Sequence, residues 1–157
     1  MIVFDPLWKT LKEKGYSFKW YFVGDGAERK NIESLISKND LGDHIVIAGY
    51  TDNPYKYISR ADIYVQPSRW EGYCLTILEA RVLKKPIICS DLEVLKEQIH
   101  HGVNGLMFKN EDHVDLCARL ESVISNEYSF VEDSTEEELS CVSEAEKIYE
   151  FIEGSVE

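Results

Sequence analysis

The chain has 157 residues, is 44% hydrophobic and 11% aromatic, and holds only four prolines and nine glycines, which suits one globular domain and excludes a disordered chain. A net charge of −12 excludes the basic footprint of a nucleic-acid binder. No apolar run reaches the length of a membrane span, Met1 to Pro6 lacks the regions of a signal peptide, and Cys74, Cys89, Cys117 and Cys141 form no CxxC pair, so reduced thiols in a cytoplasmic protein are expected.

In chain order, Asp5 to Lys14 places Leu7, Trp8 and Leu11 on one helical face and stops at Gly15. Phe18 to Val23 is an aromatic and β-branched run ending at Gly24-Asp25-Gly26, a strand and its turn. Ala27 to Asn39 carries Ile32, Leu35 and Ile36 at helical spacing, and His44 to Ala48 is a second strand closed by Gly49. Pro54 to Ala61 predicts a short helix, Ile63 to Val65 a strand before Pro67-Ser68, and Cys74 to Leu83 an apolar helix. Pro86 to Cys89, Leu92 to His100, Gly105 to Phe108 and His113 to Ile124 complete an alternation of strand, helix, strand and helix. Apolar strands alternating with helices predict a Rossmann-like, doubly wound parallel sheet with helices on both faces.

Residues 1–125 form this domain, and residues 126–157 an acidic tail. From Glu127 onward a run of acids faces a single base, Lys147, while the body before it is close to neutral and can accept an anion. Val142, Ala145, Ile148, Tyr149 and Ile152 predict an amphipathic tail helix packed by its apolar stripe; the other reading is a segment reaching towards a partner domain.

Ligands of an open α/β sheet bind outside the carboxyl ends of its strands. Three strand-end turns stand there. Gly24-Asp25-Gly26 lets a ligand approach the backbone, and Gly49-Tyr50-Thr51 offers an aromatic ring that suits a base or plain surface packing. Pro67 to Ala80 is the third. It opens an apolar helix, so the amides of Gly72, Tyr73, Cys74 and Leu75 are expected among its unpaired N-terminal donors, an anion site suited to a diphosphate. Thr76 adds a hydroxyl. Glu71 stands in the loop and Glu79 about two turns along the helix. A carboxylate within the apolar stretch Leu75 to Val82 needs a partner, and a sugar or ribose diol can donate two hydroxyl protons to it. The alternative, left open by spacing, is an exposed Glu71 and a Glu79 paired with Arg81 or Lys85.

Glu71 and Glu79, seven residues apart in EGYCLTILEA, resemble the E-x7-E motif of family 4 retaining glycosyltransferases of the GT-B fold. Val23 to Arg29 is similar to that family's VGDGPER turn, Ala61 to Ser68 to its ADVFVLPS strand, Lys85 to Asp91 to GKPVVASD, and Gly102 to Leu106 to GVNGLLF. The resemblance spans about residues 16 to 124. It implies a nucleotide-sugar-binding domain in which Glu71 acts catalytically at the donor sugar, Gly72, Tyr73, Cys74, Leu75 and Thr76 hold the diphosphate, Glu79 binds the ribose, and Gly24, Tyr50 and Thr51 border the base. It further implies hexosyl transfer from a nucleotide sugar, UDP-linked by family habit, to a glycan or lipid-linked acceptor in surface polysaccharide synthesis. Configuration is retained. No metal or other cofactor is implied, because amides and bases neutralise the leaving charge, and the sequence shows no metal-ligand spacing. The full enzyme would be cytoplasmic, with peripheral attachment to the inner membrane face.

Departures from the family pattern are specific. Its opening strand of the VGRL type, the EKG after it, and the N-terminal acceptor-binding domain find no counterpart here, and Glu93-Val94 replaces a glycine doublet, although Glu97 keeps its place. In the family the Arg and Lys of the first two segments clamp the diphosphate from the other side, and losing both contacts costs a few kcal/mol, at roughly 1.5–3 kcal/mol for each charged hydrogen bond. The polypeptide alone is therefore expected to bind donor weakly and transfer nothing. Two other readings compete: a nucleotide-sugar 2-epimerase, which would change a UDP-sugar without acceptor, and a non-catalytic subunit that pairs with a separate acceptor-domain protein.

Overall fold

The computed structural model describes residues 4–130. Its elements run α1 (Phe4–Glu13), β1 (Trp20–Val23), α2 (Arg29–Lys38), β2 (Ile45–Gly49), α3 (Tyr55–Ile58), β3 (Tyr64–Gln66), α4 (Leu75–Val82), β4 (Ile87–Ser90), α5 (Glu93–Lys96), β5 (Leu106–Phe108) and α6 (His113–Ile124). Each element predicted from the sequence in this span is present, with ends moved by a few residues. The acidic tail helix lies outside the described residues.

Every strand pairing is parallel. Period-2 alternation sends successive side chains to opposite layers. On one side Leu7, Trp8 and Leu11 of α1 and Leu116, Cys117 and Leu120 of α6 cover Ile45, Ile88, Leu106 and Phe108. On the other, Ile58 of α3, Ile77 and Ala80 of α4, and Leu95 pack on Ile87, Cys89 and Met107. This is the Rossmann-like arrangement, with helices on both faces of parallel strands.

Among the described residues the strands fall into two parallel sheets. β1 pairs with β2, and β3, β4 and β5 form a separate three-stranded sheet in that order. In the doubly wound order 3-2-1-4-5-6 the first strand lies between the second and the fourth. If β1 and β2 are the second and third of that series, the break between β1 and β3 falls in the first strand's place. No strand among the described residues fills it. Among those residues, too, no helix is long and apolar enough to cross a membrane.

Candidate functional site

The ends of the parallel strands all face one way, so the turns after them gather along one edge. The loop after β3 is fastened there on several sides. The fully buried Ser90 hydroxyl, at the end of β4, donates to the Ser68 carbonyl at 2.6 Å. The Asn110 amide donates to the Arg69 carbonyl at 3.0 Å, and Arg69 pairs with Glu111 at 2.8 Å. The segment carrying Glu71 is therefore anchored to both neighbouring strand ends.

Glu71 is half-buried, not exposed. Its Oε1 accepts from Ser68 Oγ at 2.5 Å and from Gln66 Nε2 at 3.1 Å. The Gln66 amide is itself oriented: its Oε1 accepts from the Tyr64 hydroxyl at 2.5 Å and the Thr76 hydroxyl at 3.4 Å, which leaves its N–H groups for Ser68 and Glu71. Burial pushes the Tyr64 phenol up to about 12, so it remains a donor at neutral pH. A polar residue closing an otherwise apolar strand was the one sequence sign of this network, and Gln66 was not singled out by it.

α4 starts at Leu75 after a Cys74 N-cap whose side chain makes no capping bond. The sequence placed the helix start at Cys74, so Gly72 and Tyr73 precede it and lie in the loop. Among the described residues no acceptor takes the backbone N–H of Gly72, Tyr73, Cys74, Leu75 or Thr76, whereas that of Ile77 bonds the Cys74 carbonyl at 3.2 Å. Gly72, Tyr73, Leu75 and Thr76 are exposed. Bare donors at an accessible helix start attract an anion through the helix dipole. The Thr76 hydroxyl lies 3.3 Å from Cys74 Sγ and turns towards Gln66, so its first role is to hold the network.

Glu79 sits little more than one turn into α4, nearer the start than the two turns expected. It accepts from the Tyr55 hydroxyl at 3.2 Å. Burial raises its pKa, and the Tyr55 bond partly offsets this. Tyr55 opens α3 and carried no signal in the sequence, because the contact spans 24 residues. The turn before it is pinned by the Asn53 N–H donating to Thr51 Oγ1 at 3.2 Å. Tyr50 stands exposed beside Thr51. Just past the end of β1, within the two-stranded sheet, the Gly24 N–H donates to the Gly49 carbonyl at 2.8 Å; both glycines have positive φ, 124° and 73°. Gly24, Tyr50 and Thr51 thus form one group, and Glu71 with the α4 start another. Glu79 reaches the first group through Tyr55. Among the described residues no three His, Cys, Asp or Glu side chains come together as metal ligands do.

The family profile of glycosyl transferases group 1 matches residues 6–147. An uncharacterised glycosyltransferase of Methanocaldococcus jannaschii is 31% identical over 125 residues, covering 78% of this chain and 35% of its own length. The alpha-D-kanosaminyltransferase of Streptomyces kanamyceticus is 28% identical over 115 residues, 70% of this chain and 30% of the relative. The chain therefore spans about a third of the length of such relatives. Among solved structures, HepE of Anabaena in complex with UDP-glucose superposes with a TM-score of 0.78 at 16% identity, covering 98% of this chain and 45% of that one. The Staphylococcus aureus TarM structure gives 0.74 at 22% identity, over 79% and 25%. These likenesses show the fold.

Proposed function

The chain belongs to the glycosyl transferases group 1 family, and from that premise we propose that it is the donor-binding half of a retaining hexosyltransferase using a UDP-linked sugar. The observation that carries the reading is the row of unpartnered amides from Gly72 to Thr76 beside a Glu71 carboxylate fixed by Ser68 and Gln66. The donor diphosphate rests on those amides. Charge that builds on its bridging oxygen during transfer is stabilised by donors already aimed at it. Glu71, held by two neighbours, keeps oxygen lone pairs for the sugar hydroxyls. Glu79 takes the ribose diol, and the Gly24–Gly49 turn with Tyr50 and Thr51 borders the base.

In the transfer step the bond between the anomeric carbon and the phosphate oxygen breaks. The acceptor hydroxyl oxygen forms the new bond on the same face, and its proton passes to the departing phosphate oxygen. Configuration is thereby retained without a metal or other cofactor. The acceptor, a glycan or lipid-linked saccharide of surface polysaccharide synthesis, is held by polypeptide outside this third of the family length. UDP-containing solved relatives such as the HepE complex support the choice of nucleotide.

The test is protein NMR with UDP and GDP. UDP is expected to move the amide signals of Gly72 to Thr76, and Glu79→Ala to weaken binding roughly tenfold or more, the scale of a lost charged hydrogen bond. If neither nucleotide moves those signals at millimolar concentration, the assignment of the phosphate site is wrong.

A further inference from the structure

One charged side chain stands at the turns assigned to the base and has no part in the transfer chemistry. Arg29 opens α2, whose first turn holds no acid. A cation there meets the positive end of the helix dipole, which disfavours it. It is held in place all the same. Its Nε donates to Glu33 Oε1 at 2.9 Å and its Nη1 to Asp25 Oδ2 at 3.3 Å. Asp25 is set in turn by the Gly26 N–H, which donates to its Oδ1 at 2.8 Å. Among residues 23–31 only Phe22's neighbour in burial, Arg29, is half-buried; the rest are exposed.

The guanidinium spans both turns. A Cβ on Gly49 would meet Arg29 Nη1 at 3.4 Å, so a bare glycine lets the cation lie against the end of β2. Asp25 ties the same group to the turn after β1. Of its five N–H donors, one on Nε and one on Nη1 are spent on carboxylates. Among the described residues no acceptor takes the two on Nη2. The side chain is 39% exposed, so these donors are within reach of a ligand. Arginine has no acceptor, and whatever faces it must accept.

Resting on the nucleotide reading, we propose that Arg29 is the specificity-determining residue of the base site. Its free N–H groups donate to the 4-oxygen of uracil and select uracil over cytosine. Glu79, through Tyr55, lies between the α4 start and these turns. A nucleoside diphosphate laid along that line, from diphosphate to ribose to base, turns the edge of the base farthest from the ribose towards Arg29. In uracil that edge carries a carbonyl oxygen. In cytosine it carries an amino group, and donor would face donor. A site built around such a bond rejects the analogue that lacks the acceptor far better than one that matches shape alone.

The test is protein NMR on the full chain with UDP, CDP and inorganic pyrophosphate. UDP is expected to bind more tightly than CDP by about tenfold or more, the scale of one charged hydrogen bond, and to move the Arg29 Nε–H signal. Pyrophosphate should move the Gly72 to Thr76 amides and leave Arg29 still. Arg29→Ala should erase the preference for UDP, with pyrophosphate affinity and the β4 amide signals unchanged. CDP binding to the native chain as tightly as UDP overturns the proposal, and that comparison needs no variant. So does an Arg29→Ala chain that keeps the preference, or one that loses pyrophosphate as heavily as UDP, since Arg29 would then act on phosphate. While pyrophosphate still moves the Gly72 to Thr76 amides, each of these failures leaves the phosphate site standing. If none of the three ligands moves those amides, the phosphate site falls and this proposal with it.

Discussion

The two sheets of this protein differ in how firmly they are held. β3, β4 and β5 have helices on both faces, and the loops after them are tied together by Ser90, Asn110 and Arg69. β1 and β2 are covered well on one face only: α2 buries no residue at all, and Tyr21 meets α3 through a tilted ring contact with Tyr57. The fixed half carries Glu71 and the α4 start, where transfer needs preset geometry. The looser half carries the turn proposed for the base, where a planar ring tolerates adjustment. Buried apolar contacts decide which parts open first.

The largest effect should come from emptying the fixed half. Ile88 is fully buried at the centre of β4, and Ile88→Ala should cost about 2–5 kcal/mol in urea unfolding. Ile36 of α2 is only half-buried, so Ile36→Ala should fall well below that, about 1 kcal/mol or less. Equal losses would erase the contrast between the halves.

A smaller effect, confined to binding, should follow from loosening Glu71. Ser68→Ala removes one hydrogen-bond donor, worth about 1.5–3 kcal/mol when the acceptor is charged and buried, less in a half-exposed site. By calorimetry, affinity for a UDP-sugar should fall severalfold while affinity for UDP itself holds, since Glu71 is assigned to the sugar. Loss of both in equal measure would place Glu71 at the diphosphate.

Such contrasts also mark what the sequence could reveal. Strand and helix positions were readable because Gly15, Gly24, Gly49 and Pro67 punctuate runs whose apolar spacing is local. Glu79 stood out because charge inside an apolar stretch needs a partner, and Glu71 because of its motif spacing from Glu79. The partners did not. Tyr55 meets Glu79 only once α3 and α4 are packed, and Gln66 reads as a strand residue until Tyr64 and Thr76 turn its amide. Which strands pair was hidden for the same reason, since pairing between strands is a property of the fold and not of either strand.

The smallest effect is electrostatic. Burial raises the Glu79 pKa above its ordinary carboxylate value, so the folded state holds this proton more tightly than the unfolded chain. Its stabilising contribution is then fully present below the unfolded value and fades as pH rises through the raised one. Ionised Glu79 burdens the fold at neutral pH, more weakly than a fully buried charge because the side chain keeps contact with solvent. Glu79→Gln should therefore be slightly more stable than the native chain at pH 7, with the advantage vanishing towards pH 4, read from thermal midpoints across that range. The same variant should bind UDP less well at pH 7, because a neutral amide offers one acceptor oxygen and no charge where a carboxylate offers two charged oxygens to the diol. Stability gained and affinity lost at one residue is the pattern of a group kept for its ligand. A variant that loses both would make Glu79 a structural partner of Tyr55.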